Sequence, residues 1–438
     1  MGIIFIQTAG IFAQTLNLEQ TRTLALANSR SLARYELSIR TSILDERNQL
    51  YSMLPSLSAK YDASVYYLKD WEFVNPADTF SAGASFSVTQ VIFQGGKSFI
   101  QKAIAAIATE SVRIDALAEY FSVLDAADNA YYAVLEAAAV LEAEESSLQA
   151  AVLGLAIAEI RQAGGMINQG DYLKALADKE ARENSRNQAR RNLALNTAKL
   201  RTMTGLSQTV VPEQIDFSAY EGVLLRLAAI SDEDAGALYE EFWKILAVSN
   251  PSLAKAALNS QRADKNFTLA RRDYAPALSA TIFSTGFNYS TEKGFNSPGS
   301  GGVSISGTIP VDFWVLNNRV ERSRIARDSA ALDYAGAESS LETELQSALL
   351  NALAQAGSVL SSRRSLEYTE KHFEYVMERY RLSQSSVSDL GDASTLLINS
   401  RNNLIRASYG FLQSISRLRS LCALDDEEKL LELLLANS

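Results

Sequence analysis

The chain is poor in the side chains that most enzymes and metal sites use. Its 438 residues contain one cysteine, Cys422, and one histidine, His372. A disulfide within the chain is therefore impossible, and a zinc cluster of cysteine and histidine ligands is excluded. The sequence has no nucleophile paired with a base and no phosphate-binding loop, so we expect no enzyme activity, no cofactor and no structural metal. The net charge of −10 comes without a basic arm or patch, so we expect no nucleic-acid partner.

Proline is also scarce, and its positions leave two long stretches free of it. Seven prolines stand at positions 55, 76, 212, 251, 276, 298 and 310. None lies between Pro76 and Pro212, and none follows Pro310. Because proline breaks helix interiors, both stretches are free to form very long helices. The first, from Lys97 to about Arg161, would extend about 96 Å at about 1.5 Å per residue.

The proline-free stretches carry coiled-coil patterning. In the first, apolar residues recur every seven positions at Ile100, Ile107, Ile114 and Phe121. The stretch from about residue 319 to 379 repeats this style. A helix of such length needs partner helices along its whole length to bury the apolar stripe.

No stretch after the first residues has the roughly 20 consecutive apolar residues that a membrane-spanning helix requires. Residues 1–13 form a short apolar run that is similar to the hydrophobic region of a secretory signal, with a possible cleavage point after Ala13. No lysine or arginine precedes the run, and Ile11 stands where a small residue is expected. We interpret residues 1–13 as an incomplete signal-peptide-like segment, the alternative being a buried N-terminal segment.

The chain contains an internal duplication. At a constant shift of 221 positions, Leu32-Ala33, Pro55 and Leu57-Ser58-Ala59 meet identical residues. At a shift of 218, Asp171 meets Asp389 and Leu200-Arg201 meets Leu418-Arg419. Keeping register across two separated blocks makes chance identity improbable and indicates two copies of about 220 residues.

Each copy has the same predicted order: a helix, two strands, a long helix, a turn and a second helix. Between the copies lies an acidic linker, and a short tail follows the second copy. The predicted segments are, in order, repeat 1 (14–206) with strands at about 55–68 and 80–93 and a turn at about 162–170, the linker (207–249), repeat 2 (250–424) with strands at about 276–289 and 302–314 and a turn at about 381–388, and the tail (425–438).

The four predicted strands alternate apolar and small polar residues, which is typical of strands with one apolar face. The third strand slips phase near residues 284–286, and in the fourth the alternation continues through Ile309 and Val311. The polar faces carry few charges, and the strands match the ~9–11 residues of a membrane strand, which favours a membrane barrel over a soluble sheet. Lipid tolerates no open sheet edge, so several chains must share one barrel. Two chains would supply eight strands, and three would supply twelve and leave room for a channel.

These features together resemble the TolC-type outer membrane factors, a family of efflux and secretion ducts. The resemblance covers about residues 16–424. It rests on the duplicated halves, on Pro55 and Pro276 between helix and strand, and on the stretch QVIFQGGK, Gln90 to Lys97, which is similar to the family's strand-to-helix junction.

The resemblance implies a mostly α fold with a membrane β-barrel part. A homotrimer would place four strands per chain in a shared twelve-stranded β-barrel and would build a long periplasmic α-helical barrel from the two repeats, with the linker and the tail at its equator. The implied function is the outer-membrane exit duct of a tripartite efflux or type I secretion system. Its implied partners are outer-membrane lipid, a periplasmic adaptor and an inner-membrane pump, and its location is the cell outer membrane with an extension into the periplasm.

The resemblance also assigns roles at the two turns, which would form the periplasmic tip. Asp389 and Asp392 would line the pore constriction, as a ring of six carboxylates in the trimer that divalent cations block. Tyr380 would pair with Asp171 as a latch that keeps the tip closed. An arginine usually joins that latch in the family, but this chain has Ser385 at the position.

Small residues at the turns point to a docking role. Gly164 and Gly165 in the first turn, and Ser383 and Ser386 in the second, would let a helical hairpin of the adaptor approach closely. These four residues are the predicted adaptor-docking tips.

The sequence also fits alternatives for the function and for the aspartates. A trimeric coiled-coil structural or adhesive outer-membrane protein would also explain the long helices, although it would not explain the duplication. An aspartate just after a turn is often a helix cap, which is the simpler interpretation of Asp171 and is compatible with a pore role for Asp389 and Asp392.

Overall fold

The structure is a computed structural model, which describes residues 14–65, 68–69, 72–73, 80–208, 210–291, 294–296 and 300–435. The signal-peptide-like segment, residues 1–13, lies outside this range. Within the described residues, no helix combines the length and the hydrophobicity that crossing a membrane requires.

Helices dominate the described chain, and two of them are very long. The helices are α1 (Leu18–Asn28), α2 (Arg30–Tyr51), α3 (Lys97–Ala163), α4 (Gln169–Thr204), α5 (Glu221–Ala229), α6 (Asp232–Ser249), α7 (Pro251–Arg271), α8 (Phe313–Arg381), α9 (Val387–Leu421) and α10 (Glu427–Leu435). With 67 and 69 residues, α3 and α8 each lie within one of the proline-free stretches.

Strands occupy the remaining regular segments. They are β1 (Gln14–Leu16), β2 (Ser56–Val65), β3 (Leu68–Lys69), β4 (Glu72–Phe73), β5 (Phe80–Phe93), β6 (Val210–Pro212), β7 (Ala277–Ser290), β8 (Gly294–Asn296) and β9 (Gly301–Thr308).

The chain divides into two compact units that do not coincide with the two repeats. One unit contains residues up to 33, 117–251 and 339–438, and the other contains residues 34–116 and 252–338. Each unit therefore takes segments from both copies. The first unit holds both helical hairpin turns and the linker, and the second holds the main sheet.

In the second unit, β2, β5, β7 and β9 form an antiparallel sheet in that order, with β8 pairing the far end of β7. Registers between β2 and β5 place apolar residues opposite each other, such as Leu57 with Val88 and Ala59 with Phe86. On the other face, Ser58 and Ser87 share a hydrogen bond of 2.7 Å. The alternation of the sequence thus becomes one apolar and one small polar face.

A β-bulge explains the phase slip in the third predicted strand. Along β7, Phe287 pairs with Ala84 while Thr285 pairs with Ser85, so Gly286 is an extra residue without an opposite partner. An extra residue on one strand shifts the following side chains to the other face of the sheet.

The fourth predicted strand is shorter than the sequence pattern indicated, which corrects its predicted span of about 302–314. β9 ends at Thr308, and α8 begins at Phe313. Pro310 has no N–H to donate to a ladder. Beyond it, the carbonyl of Asp312 accepts from the N–H groups of Val315 and Leu316, so the chain already enters a helix.

The junction between β5 and α3 depends on glycine. Gly95 has φ +67°, and a Cβ there would lie 2.4 Å from Cβ of Ala275. The turn delivers Lys97, whose Nζ lies 2.7 Å from Oδ1 of Asp273. Arg319, near the start of α8, donates to Oδ2 of the same carboxylate at 2.9 Å. One aspartate thus ties together the beginnings of both long helices.

Candidate functional site at the two helical hairpin turns

Turn 1, residues 164–168, joins α3 to α4. Gly165 has φ +68°, a left-handed conformation that suits glycine. Its N–H donates to the carbonyl of Gln162 at 2.9 Å, and the N–H of Met166 donates to the carbonyl of Arg161 at 2.8 Å. This pair of bonds is a Schellman motif, which ends α3 at this point.

Turn 2, residues 382–386, repeats the motif without a glycine. Ser383 has φ +64°, its N–H donates to the carbonyl of Tyr380, and the N–H of Gln384 donates to the carbonyl of Arg379. Ser383 lies 218 positions after Gly165, the shift that relates the two repeats. The second repeat has therefore kept the backbone conformation and lost the residue that adopts it without strain.

Glycine in repeat 1 is likewise replaced by another residue in repeat 2 at the C-terminal ends of α4 and α9. Gly205 ends α4 with φ +71°, and Ala423, again 218 positions later, follows α9 with φ +51°. Ser383 and Ala423 are the non-glycine residues with positive φ in the described chain.

Glycine at these two positions is expected to stabilise the protein. Ser383→Gly and Ala423→Gly each relieve a left-handed L-residue, which costs about 1–2 kcal/mol, and each add unfolded-state entropy of about 0.5–1 kcal/mol. We expect a net gain of about 0.5 kcal/mol per site, measured from denaturant unfolding followed by circular dichroism. Gly165→Ser is the matched reverse change, and a loss of stability in Ser383→Gly would contradict the strain argument.

Each turn is followed by a capped helix. In turn 1, Oδ1 of Asn168 accepts from the N–H of Asp171 at 2.9 Å. In turn 2, Oγ of Ser386 accepts from the N–H of Asp389, and Oδ2 of Asp389 accepts from the N–H of Ser386 at 2.9 Å. Asp389 is therefore the third residue of a capping box, and Ser386 is the cap itself. At Asp171, for which capping was the simpler interpretation, the cap of α4 is instead Asn168.

The two predicted pore aspartates differ in their surroundings. Hydrogen bonds from the backbone and hydroxyl of Ser386 and from Ser385 lower the pKa of Asp389. Asp392 lies one helical turn later, also exposed. Oδ2 of Asp389 accepts from the N–H of Ser386 and from Oγ of Ser385. Both carboxylates are exposed and therefore accessible to a cation.

Tyr380 is the centre of the apolar contact between the hairpins. It is fully buried, packed among Ala158, Ala175, Val376 and Leu390. Its hydroxyl donates to the carbonyl of Gly154 at 3.3 Å. Among the residues that the structure describes, no hydrogen bond joins Tyr380 to Asp171, which is half-buried at the start of α4. The latch between these two residues stays a prediction.

Arg161 is a residue that the sequence analysis did not single out. It lies in the last turn of α3, and its guanidinium carbon is 4.7 Å from the centre of the Tyr380 ring. Burial raises the pKa of Tyr380, and a hydrogen bond from Arg161 together with the Arg161 charge opposes that rise. No sequence signal separated Arg161 from the other arginines near the ends of the helices.

Two side-chain hydrogen bonds join α4 to α9, and a cleft lies between them. Nζ of Lys174 donates to Oγ of Ser388 at 2.7 Å, and Nη2 of Arg182 donates to Oγ1 of Thr395 at 2.7 Å. Between the ties lies a cleft of about 180 Å³, and Lys174, Tyr380, Asp392 and Thr395 are among its lining residues. The structure thus brings Tyr380 and Asp392 to one surface feature. Nowhere in the described chain do three or more His, Cys, Asp or Glu side chains form a group able to hold a metal ion.

The same unit contains a second polar cluster, which was not predicted from the sequence. Asp128 on α3 is fully buried. Its Oδ1 accepts from Nε of Arg22 at 2.6 Å, and its Oδ2 accepts from Nη2 of Arg419 at 2.8 Å and from Oγ of Ser416 at 2.6 Å. Oε2 of Glu427 accepts from Nη2 of Arg22 at 2.7 Å. Two arginines and two carboxylates therefore neutralise each other, and we call these four residues the buried charge cluster.

The heptad pattern contained a signal for this cluster. Position 128 follows Phe121 by seven residues and so continues the apolar series of α3, yet it carries a carboxylate. A charge on a buried stripe requires an opposite charge to balance it. Its partners Arg22 and Arg419 come from α1 and α9, and Glu427, which pairs with both arginines, comes from α10. All three are far away in sequence.

Comparison with known proteins gives consistent matches along the chain. The family model described as "Outer membrane efflux protein" matches residues 244–423. The chain is 23% identical to the outer membrane protein TolC of Escherichia coli strain K12, over 96% of this chain and 85% of TolC. The TolC of Vibrio cholerae is 25% identical over 72% of this chain and 68% of that protein.

A solved structure extends the match to the fold. The Campylobacter jejuni CmeC outer membrane channel superposes with a TM-score of 0.75 and 15% identity, over 96% of this chain and 89% of CmeC. Helical hairpins and a four-stranded sheet of this kind are thus a known architecture.

Proposed function

This chain belongs to the family of TolC-type outer membrane efflux proteins, and from this premise we propose that three copies form the exit duct of a tripartite efflux or type I secretion system. The protein lies in the outer membrane and extends into the periplasm. The duct passes substrates from an inner-membrane pump, to which a periplasmic adaptor connects it.

The observation that carries the trimer proposal is the sheet with two open edges. Within the described residues, β2 pairs on one side with β5, and β9 pairs on one side with β7. The apolar face is exposed, with Leu57 76% and Ile305 70% accessible. Such a face fits lipid, but lipid accepts no open edge, so β2 of one copy pairs with β9 of the next. Three copies close a barrel of twelve strands, which is wide enough for a channel.

Mass and conductance test this proposal together. Protein purified in mild detergent is expected to have the mass of three chains and to conduct ions in a planar bilayer. A stable monomer that inserts into membranes would refute the shared barrel, and a trimer that does not conduct would refute the duct.

The gate belongs to the same proposal. Asp389 and Asp392, two from each of three copies, would converge as a ring of carboxylates that concentrates cations. The exposure of both carboxylates supports this role, and the capping box that holds Asp389 is compatible with it. Tyr380 and Asp171 would form the closed latch when the copies assemble.

Docking of the adaptor is proposed at Gly164, Gly165, Ser383 and Ser386, which are all exposed at the turns. Gly165→Trp is expected to block export while the trimer still forms, because a bulky side chain keeps another hairpin away. The measurement is dye efflux from cells that depend on this chain, with the detergent mass as the assembly check.

The chain itself supplies the matched control for that experiment. Gly165→Ser places in turn 1 the residue that already stands at the equivalent position of turn 2, so it separates backbone strain from bulk. Efflux is expected to survive Gly165→Ser. Normal efflux with Gly165→Trp, or equal loss with both variants, would refute docking at this turn.

A further inference from the structure

Arg161 is a buried cation whose hydrogen-bonding groups are incompletely satisfied. Only 7% of its surface is exposed, and its guanidinium is stacked over the Tyr380 ring. Within the described part of the chain, neither Nε nor Nη1 of Arg161 has an acceptor. Both atoms are buried, so a partner molecule cannot reach them in this arrangement.

The free-energy cost of the unpaired N–H donors of Arg161 exceeds the stabilisation that its cation–π contact with Tyr380 provides. A buried donor without an acceptor costs its full desolvation, and the cost is larger on a charged group. One cation–π contact offsets about one such donor at most, and Arg161 has two. The balance favours any arrangement in which these N–H groups reach water or an acceptor.

Arg161 lies at the contact between the two hairpins, so the cost of burying it depends on whether the hairpins are together. Arg161 belongs to hairpin 1, which comprises α3, turn 1 and α4, whereas Tyr380 belongs to hairpin 2, which comprises α8, turn 2 and α9. The hydrogen bond from Tyr380 to Gly154 and the ties from Lys174 and Arg182 hold the hairpins together. Separation at the turns breaks these bonds and uncovers Arg161.

We propose that Arg161 biases the two hairpins towards separation and so sets how readily the tip opens. It is a positioning residue that acts through Tyr380. The inference rests on the proposed duct function, in which separation of the hairpins at the turns opens the passage. The hydrogen bonds between the hairpins favour the closed arrangement, and the buried charge of Arg161 favours the separated one. Together they would leave the two arrangements close in free energy.

Replacing Arg161 by methionine tests the inference, because methionine keeps much of the length and removes the charge and the donors. The open probability of Arg161→Met trimers in a planar bilayer is expected to fall about tenfold, on the scale of one unpaired charged donor. The temperature at which the helical circular dichroism signal is lost is expected to rise. Arg161→Lys keeps a buried charge and is expected to stay nearer to the parent protein.

Arg191→Met is the control, since it removes one positive charge from an exposed position of α4. It is expected to change neither quantity. A higher open probability or a lower unfolding temperature in Arg161→Met would overturn the inference and make Arg161 a clamp. Loss of the trimer in both Arg161→Met and Arg161→Gln would overturn it as well. A parent trimer that does not conduct would refute the duct instead, and the unfolding temperatures would still decide the role of Arg161.

Discussion

Trimers in which Asp389 and Asp392 are both replaced by asparagine are expected to lose their block by divalent cations. The concentration of cation for half block should rise by about tenfold or more, equivalent to about 1.4 kcal/mol of binding free energy or more. Asparagine keeps an oxygen that can accept the N–H of Ser386, so the capping box of turn 2 can persist. Single-channel current with added divalent cation measures the effect.

The control is a second pair of carboxylates with the same spacing. Glu142→Gln with Glu145→Gln removes two exposed charges three residues apart on α3. This pair is expected to leave the block nearly unchanged. If the asparagine pair blocks like the parent but assembles poorly, the aspartates act as helix caps and the pore assignment fails.

The pH dependence distinguishes the two roles of Asp389. Its pKa in the single chain is lowered by the cap, so the cap contributes stability above the ordinary pKa of 3.8 and loses it as pH falls through the lower folded value. A crowded ring has the opposite effect, because neighbouring carboxylates disfavour joint ionisation and raise pKa values. Cation preference that weakens already in mild acid would indicate the ring, and preference that persists below pH 3.8 would contradict it.

Asp128→Asn is expected to be the most destabilising substitution in the helical unit. It leaves Arg22 and Arg419 sharing Glu427, with the exposed Glu19 as a further carboxylate on Arg22. Breaking a buried ion pair from one side costs about 3–5 kcal/mol, because a charge remains without compensation. Denaturant unfolding followed by circular dichroism measures the loss. Glu367→Gln, which breaks an exposed pair with Lys371, is the control and should cost about 1 kcal/mol or less.

A double variant isolates the charge balance. Arg22→Met combined with Asp128→Asn leaves Arg419 and Glu427, one charge of each sign. The double variant is therefore expected to be more stable than Asp128→Asn alone. A cost below about 1 kcal/mol for Asp128→Asn would show that the cluster contributes little.

Acid should weaken the same cluster through Glu427. Burial alone would raise the pKa of Glu427, but the charges of Arg22 and Arg419 and the hydroxyl of Tyr220 bring it below its ordinary value of 4.5. A lowered folded pKa means that the stabilisation is complete above the ordinary value and is lost as pH falls through the folded one.

The fold class and the long helices could be predicted because each rests on repetition along the chain. Seven-residue spacing and the absence of proline predicted α3 and α8, and alternation predicted the strands. The same alternation misled the prediction beyond Thr308, where Ile309 and Val311 continue the pattern but Pro310 and the start of α8 end the strand. The alternation of apolar and polar residues describes only the side chains, whereas strand pairing also requires backbone N–H groups, and proline has none.

The contacts of the candidate site could not be predicted, because they depend on residues far apart in sequence. Tyr380 was singled out, but its hydrogen bond to Gly154 and its stacking with Arg161 cross between the repeats. The partners of Asp128 are likewise remote in sequence. By contrast, the carboxylate of Asp389 completes a capping box with Ser386, the N-cap of α9 only three residues away, and a local role of this kind was foreseeable.

The two open sheet edges have a consequence for how the protein is made. In the proposed trimer, no chain satisfies the outer backbone groups of β2 and β9 by itself, so the final step of folding is an encounter between molecules. The yield of finished duct should then depend steeply on how many chains share the compartment at one time. Until the encounter, each newly made chain exposes unpaired strands that would pair with any available edge, and production faster than assembly would lead to aggregation.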